Sequence, residues 1–142
     1  MLVDMILRTK GTTVHTVLAN ARVADAVGLL NKHNIGAVVV VDADGEVAGI
    51  ISERDIVRLL GRDPSGALKR PISECMTANV VTCGRDTSID ALMEQMTRFR
   101  IRHIPIVESD RLLGIVSIGD VVKRKIEETE QEASALREYI AT

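Results

Sequence analysis

The chain contains the same seven-residue phrase twice. Residues 49–55 read Gly-Ile-Ile-Ser-Glu-Arg-Asp, and residues 114–120 read Gly-Ile-Val-Ser-Ile-Gly-Asp. The two phrases start 65 residues apart, so the repeated unit is smaller than an ordinary domain. A unit of this size usually needs its twin to bury its apolar face. The duplication therefore predicts two small units packed against each other, with function sought between them.

The similarity between the copies extends upstream of the phrase. Residues 14–17 match residues 80–83, and residues 23–35 match residues 89–101, at an offset of 66. In both copies of the longer segment, apolar residues recur at helical spacing. Two short β-rich runs separated by a turn follow, which is typical of a hairpin. Each repeat is therefore predicted to have the order β-α-β-β-α.

Composition changes along the chain divide it into four predicted segments. We place repeat 1 at residues 1–61, a linker at 62–71, repeat 2 at 72–125 and a C-terminal amphipathic helix at 126–142. The linker region carries two of the three prolines, which interrupt regular structure. In the last segment apolar residues recur at spacings of three and four among charges. That apolar seam needs a partner surface.

The bulk properties argue against several classes of protein. A net charge of −2 and an aromatic content of 1% are unlike a nucleic-acid-binding surface. No apolar run is long enough to span a bilayer, and the first residues are too acidic for a secretory signal. Cys75 and Cys83 lack the spacing of a zinc or dithiol site, so no metal site is expected. We expect a cytoplasmic protein with no membrane or nucleic-acid partner.

The end of each phrase has the spacing of a helix N-terminal cap. In Ser52-x-x-Asp55 and Ser117-x-x-Asp120, the serine can accept from a free amide while the aspartate reaches back to the serine N–H. The same helix N-termini also attract anions, because they carry free N–H groups and the positive end of the helix dipole. From this spacing alone, a structural cap and an anion site are both open interpretations.

Arg102 and His103 stand at the start of a predicted strand that enters the core. A buried arginine is costly unless a negative group such as a phosphate meets it. The alternative is an arginine whose head reaches water beside a histidine paired with a backbone carbonyl. The equivalent positions in the first copy hold Gly36 and Ala37. If the pair binds phosphate, the two copies are functionally unequal.

Taken together, these residues resemble a tandem pair of cystathionine-β-synthase (CBS) domains, the Bateman module, over about residues 3–125. The resemblance rests on the two phrases, the two hairpins and the lead-in Met76-Thr77. It implies an α/β (α+β) fold in which two β-α-β-β-α repeats pack with pseudo-twofold symmetry. It also implies two clefts that take adenosyl ligands, with AMP the first choice and ADP, ATP, NAD or S-adenosylmethionine the others. No cofactor is required.

The resemblance assigns residues from both repeats to a main cleft. Asp120 would accept hydrogen bonds from the ribose, and Ser117 and Thr16 would bind ribose or phosphate oxygens. Arg102 and His103 would neutralise phosphate, while two isoleucines would enclose the adenine. The complete set is Thr16, Ala21, Ile35, Gly36, Ala37, Arg102, His103, Ile115, Ser117, Gly119 and Asp120.

A pseudo-symmetric second cleft is implied on the other side of the module. Because Gly36 and Ala37 replace the Arg-His pair there, phosphate compensation would come from Arg54 or Arg102, and we rank this cleft as the weaker. Its residues are Thr82, Thr87, Ile101, Arg102, Ile50, Ser52, Arg54 and Asp55.

Three functions are open at this point. The first is a non-catalytic regulatory module that senses an adenosyl ligand by a change in homodimer geometry and signals to a separate effector protein. The second is a structural dimerisation scaffold with empty clefts. The third is an enzyme, for which Ser117 and His103 form the only conceivable dyad, with no third group to orient them. We favour the first.

Overall fold

The computed structural model describes residues 1–141. It contains five α-helices and five β-strands within those residues. In the first half these are α1 (Val3–Lys10), β1 (Thr16–Leu18), α2 (Val23–His33), β2 (Ala37–Val41), β3 (Val47–Ser52) and α3 (Glu53–Arg62). In the second half they are α4 (Ile89–Phe99), β4 (His103–Glu108), β5 (Arg111–Ser117) and α5 (Ile118–Ala141). Short 3-10 turns at Ala67–Lys69 and Ile72–Glu74 lie between the halves.

Each repeat is built around an antiparallel hairpin whose second strand runs directly into a helix. Strand β2 pairs with β3, and β4 pairs with β5. The ladders shift register at equivalent places, between Val40 and Val41 and between Ile106 and Val107. Strand β1 adds to the first sheet in parallel with β2. The two hairpins predicted from the sequence are therefore present with matching irregularities.

The first strand of repeat 2 is reduced to one parallel bridge, between Cys83 and Ile106. In repeat 1 the corresponding ladder also includes the pair Thr16 and Val39. Pro105 stands at the position equivalent to Val39, and its carbonyl accepts from Cys83 N at 3.1 Å. Proline has no N–H with which to continue the ladder toward the N-terminus. The β-α-β-β-α order is therefore complete in repeat 1 and abbreviated in repeat 2.

Each hydrophobic core includes residues from the segment that precedes the other repeat in the chain, here called its leading segment. The core of repeat 2 contains three residues of α1, namely Val3, Ile6 and Leu7. The core of repeat 1 contains residues that follow α3 in the chain, namely Ala67, Ile72 and Cys75. Antiparallel bridges fasten both segments, Leu2 to Ser88 and Arg22 to Pro71. Each core is therefore completed by a segment from the other half, whereas the boundaries predicted from sequence follow chain order.

The last helix is continuous from the second phrase to the end of the described residues. Helix α5 begins at Ile118 and includes the predicted C-terminal segment through Ala141, while Thr142 lies outside the described residues. Val121 is buried, but Ile126 and Leu136 are 53% and 60% exposed. The distal part of the apolar seam is thus uncovered within residues 1–141. None of the helices in that range has the length and apolar character of a membrane span.

Candidate functional site

Both phrases form reciprocal caps at the strand-to-helix junctions. Ser52 Oγ accepts from Asp55 N at 3.3 Å, and Asp55 Oδ2 accepts from Ser52 N at 2.9 Å. In the second copy, Ser117 Oγ accepts from Asp120 N at 3.2 Å, and Asp120 Oδ2 accepts from Ser117 N at 2.9 Å. Each aspartate side chain is therefore fixed in direction at the start of a helix. This arrangement holds both carboxylates ready to accept further donors.

The glycine that opens each phrase allows an exchanged leading segment to approach the strand. A Cβ on Gly49 would lie 2.6 Å from Met76 Sδ and 2.8 Å from Thr77 O. A Cβ on Gly114 would lie 2.8 Å from Leu7 Cδ2. In the sequence these glycines stand out only as the first residue of each phrase. Their physical role, close approach of another segment, depends on contacts made in the folded chain.

The main cleft brings the two repeats together at Gly36 and His103. A Cβ on Gly36 would lie 3.2 Å from His103 Nε2 and Cε1, and 3.7 Å from Glu53 Oε1. A Cβ at this position would require the imidazole to move slightly away from the start of β2. Arg102 directly precedes β4 and is exposed at the surface.

Lys10, which no motif identified, completes this side of the cleft. Its Nζ donates to Asp120 Oδ2 at 2.7 Å and to Ile115 O at 2.9 Å. Three residues from opposite ends of the chain are thereby joined. The signal was absent from the local sequence, because Lys10 reaches Asp120 only after α1 has packed into the core of repeat 2.

The electrostatics of the main cleft differ from those of isolated side chains. Burial raises the pKa of Asp120, but the hydrogen bonds from Lys10 and Ser117 outweigh that effect and hold the pKa below its ordinary value. Burial also lowers the pKa of His103, and the charge of Lys10 adds to the decrease while Glu53 and Asp120 oppose it. His103 is therefore neutral at neutral pH, with one ring nitrogen able to donate a hydrogen bond and the other able to accept one.

Two other residues assigned to the main cleft, Thr16 and Ile35, line separate grooves. Thr16 lines an open groove of about 470 Å³ between the two hairpin tips, and Asp120, Ser117 and His103 are not among the residues that line it. Ile35 lines a separate groove of about 340 Å³, which Glu53 also borders. Asp120, Ser117 and His103 therefore lie outside the larger of these two grooves.

The remaining members of the main set have backbone roles. The carbonyl of Ala21 accepts from Ile72 N at 2.8 Å, at the segment that enters the core of repeat 1. Ala37 is buried in β2 and pairs with Ser52. Gly119 lies in the first turn of α5, where a Cβ would be 3.6 Å from Ser117 Oγ. These contacts shape the surroundings of the cleft, and none of them joins Ala21 to Asp120.

The second cleft has the same backbone and different covering groups. Thr77 exchanges two hydrogen bonds with the backbone of Ile50, at 3.0 and 2.8 Å, and its Oγ1 donates to Asp55 Oδ1 at 3.4 Å. A neutral segment therefore covers β3 at the position equivalent to the part of β5 that Lys10 contacts in the main cleft. Arg54 is exposed and forms no ion pair within residues 1–141.

The other assigned residues of the second cleft lie around repeat 2. Thr82 is exposed before the single bridge at Cys83. Thr87 forms a turn to Gly84 and accepts from Val3 N at 2.8 Å, so it anchors α1. Ile101 packs against the core of repeat 2. The described residues contain no group of three or more His, Cys, Asp or Glu side chains arranged for a metal ion.

Two repeats that exchange their leading segments and present capped aspartates on either side define a tandem-repeat module. The chain belongs to the CBS domain family, whose pattern matches residues 9–62 and 72–127. The tandem-repeat resemblance and the mixed α+β fold predicted from the sequence are therefore confirmed.

Solved structures and a curated relative agree with this membership. A CBS-domain containing protein from Agrobacterium tumefaciens is 47% identical, with a TM-score of 0.84, over 87% of this chain and 92% of its own. A CBS domain pair solved in complex with 5′-methylthioadenosine and S-adenosyl-L-methionine is 31% identical, with a TM-score of 0.81, over 90% of this chain and 98% of its own. A mitochondrial CBS domain-containing protein of Arabidopsis thaliana is 37% identical over 83% of this chain, which spans 59% of that relative.

Proposed function

We propose that this chain is a non-catalytic regulatory module that binds an adenosyl ligand in the main cleft. The observation that carries the proposal is the geometry of Asp120. Its Oδ2 is held by Ser117 and Lys10, while Oδ1 has no hydrogen-bond partner within residues 1–141. An oriented carboxylate oxygen of this kind is suited to accept from a ribose hydroxyl. The related domain pair with bound methylthioadenosine and S-adenosylmethionine supports an adenosyl ligand.

AMP is the ligand we place first, followed by ADP, ATP, NAD and S-adenosylmethionine. The cations at the edge of the main cleft, Lys10 and Arg102, favour a ligand that carries phosphate. The second cleft offers Asp55 without a paired cation, so we propose that it binds more weakly or remains empty. Ser117 acts as a helix cap rather than a nucleophile, because its Oγ already accepts from Asp120 N.

Millimolar AMP is expected to raise the melting temperature of the purified chain. Selective binding to the folded state at about 100 times the dissociation constant stabilises it by about 2.7 kcal/mol, which corresponds to roughly 5 °C or more for a chain of this size. Differential scanning fluorimetry with AMP, ATP, NAD and S-adenosylmethionine, each at one concentration, measures the shift. Inosine monophosphate, which shares the ribose and phosphate, serves as the control for adenine recognition.

The alternative is a structural dimerisation scaffold without a physiological ligand. The exposed apolar residues of α5, among them Ile126 and Leu136, favour an assembly role for that helix. The absence of any thermal shift with all four adenosyl compounds would support the scaffold. A homodimer, a separate effector protein, ligand sensing through dimer geometry and a cytoplasmic location form part of our proposal.

A further inference from the structure

Lys10 is held at the main cleft by two acceptors and keeps donor capacity for a third. Its ammonium carries three N–H donors, of which two are used by Asp120 Oδ2 and Ile115 O. The Lys10 side chain is 37% exposed. No third acceptor for it is found within residues 1–141, so one N–H is available to a bound molecule.

Asp120 can bind a ribose without releasing Lys10. Lys10 and Ser117 N both donate to Oδ2, at 2.7 and 2.9 Å, whereas Oδ1 is open. A nucleoside that docks on Oδ1 therefore finds an ammonium already beside it. Because that ammonium sits on a flexible four-carbon stem, it can adjust toward a group attached to the ribose.

The charges around the main cleft make Lys10 the cation most closely tied to Asp120. His103 is neutral at neutral pH because burial lowers its pKa. Arg102 is exposed and lies before the strand. On the acidic side, Glu53 approaches Gly36, while the charge of Asp120 is compensated by Lys10.

The second cleft provides an internal comparison within the same chain. Ile50 O, which is equivalent to Ile115 O, accepts from the backbone N–H of Thr77 at 2.8 Å. Asp55 Oδ1 accepts from the neutral hydroxyl of Thr77 at 3.4 Å. The equivalent carbonyl is therefore covered by a neutral N–H in one cleft and by an ammonium in the other, and Thr77 donates to the carboxylate oxygen, Oδ1, that is open in Asp120.

We propose that Lys10 is a specificity-determining residue of the main cleft, which selects adenosyl ligands with an anionic 5′ group over those with a neutral one. This inference rests on the proposed function. The free N–H of Lys10 donates to a phosphate oxygen, forming a charge-assisted hydrogen bond that a thioether cannot replace. Selection thus depends on the group attached to the ribose, while Asp120 holds the nucleoside that all these ligands share.

The test compares AMP with 5′-methylthioadenosine by titration calorimetry on the full chain. In Lys10→Met we expect the affinity for AMP to fall about tenfold or more, while the affinity for 5′-methylthioadenosine is retained or rises. Lys10→Arg keeps the charge and is expected to recover most of the preference for AMP. Lys123→Met removes an exposed lysine from α5 that forms no ion pair within residues 1–141, and serves as the matched control.

Three other outcomes would overturn the inference. An equal loss of affinity for both ligands in Lys10→Met would show that Lys10 only positions Asp120. Unchanged affinity for AMP would show that it has no role in binding. Failure of the unmodified chain to bind either ligand would remove the proposed function itself. Circular dichroism melts of each variant identify any loss of affinity that comes from unfolding.

Discussion

Asp120→Ala is expected to weaken AMP binding more than tenfold, whereas Asp55→Ala leaves the main cleft intact. The reason is that hydrogen bonds from ribose hydroxyls to a carboxylate contribute about 1.5–3 kcal/mol each. The two substitutions are closely matched, since each aspartate forms the same reciprocal cap with its serine. Each substitution removes the aspartate half of the reciprocal cap and leaves the serine N-cap in place, which costs about 1 kcal/mol of stability in either repeat.

Calorimetric titration with AMP separates the binding role from the capping role. Urea unfolding of both variants gives the stability lost with each aspartate, which includes the Lys10 ion pair in Asp120→Ala and the Thr77 hydrogen bond in Asp55→Ala. Equal AMP affinities in the two variants would contradict the assignment of the main cleft. A larger loss of affinity in Asp55→Ala would instead transfer the principal site to the second cleft.

Gly49→Ala is expected to destabilise the chain by about 1–3 kcal/mol, in the range typical of overpacking. The added methyl would lie 2.8 Å from the carbonyl oxygen of Thr77. That segment is fixed by two backbone hydrogen bonds to Ile50, so relieving the clash requires a shift of the backbone. If the segment around Thr77 moved away from β3, it would also disturb the core of repeat 1, which contains the neighbouring Cys75.

Gly114→Ala is the matched substitution in the second repeat and is expected to cost less than about 1 kcal/mol. The nearest atom to its added methyl is Leu7 Cδ2 at 2.8 Å, the far end of a side chain that can change rotamer. Free energies of unfolding in urea, measured for both variants, compare the two positions directly. If Gly114→Ala were as destabilising as Gly49→Ala, the explanation from backbone approach would be wrong.

The local features of this protein were predictable from its sequence. The caps at Ser52 and Ser117 depend on residues three positions apart, so the spacing predicted a cap as one of two interpretations, and the hydrogen bonds of the folded chain show that it forms. The hairpins were predicted from β-rich runs separated by a short turn. The abbreviated first strand of repeat 2 was not predicted, although Pro105 carried the signal, because the missing N–H matters only when a neighbouring strand would receive it.

The candidate site was predictable only in part. Asp120, His103 and Gly36 were assigned to one cleft, and the contact of the imidazole with Gly36 brings two of them together across the repeats. Thr16 and Ala21 followed from the resemblance, but Thr16 lies beside the hairpin tips and Ala21 bonds to Ile72, in the segment that enters the core of repeat 1. The neutral state of His103 depends on burial, which the order of residues does not specify.

The sequence by itself determined the duplication, the Ser-x-x-Asp spacing at two helix starts and the resemblance to the CBS domain family, because these are patterns of residue type along the chain. The tertiary structure decided how the copies differ. Helix α1 packs into the core of repeat 2, and Lys10 then contacts Asp120 across 110 positions of chain. In the other cleft, Thr77 covers Ile50 with neutral donors. This difference arises from exchanged segments and long-range packing, so local periodicity could not indicate it.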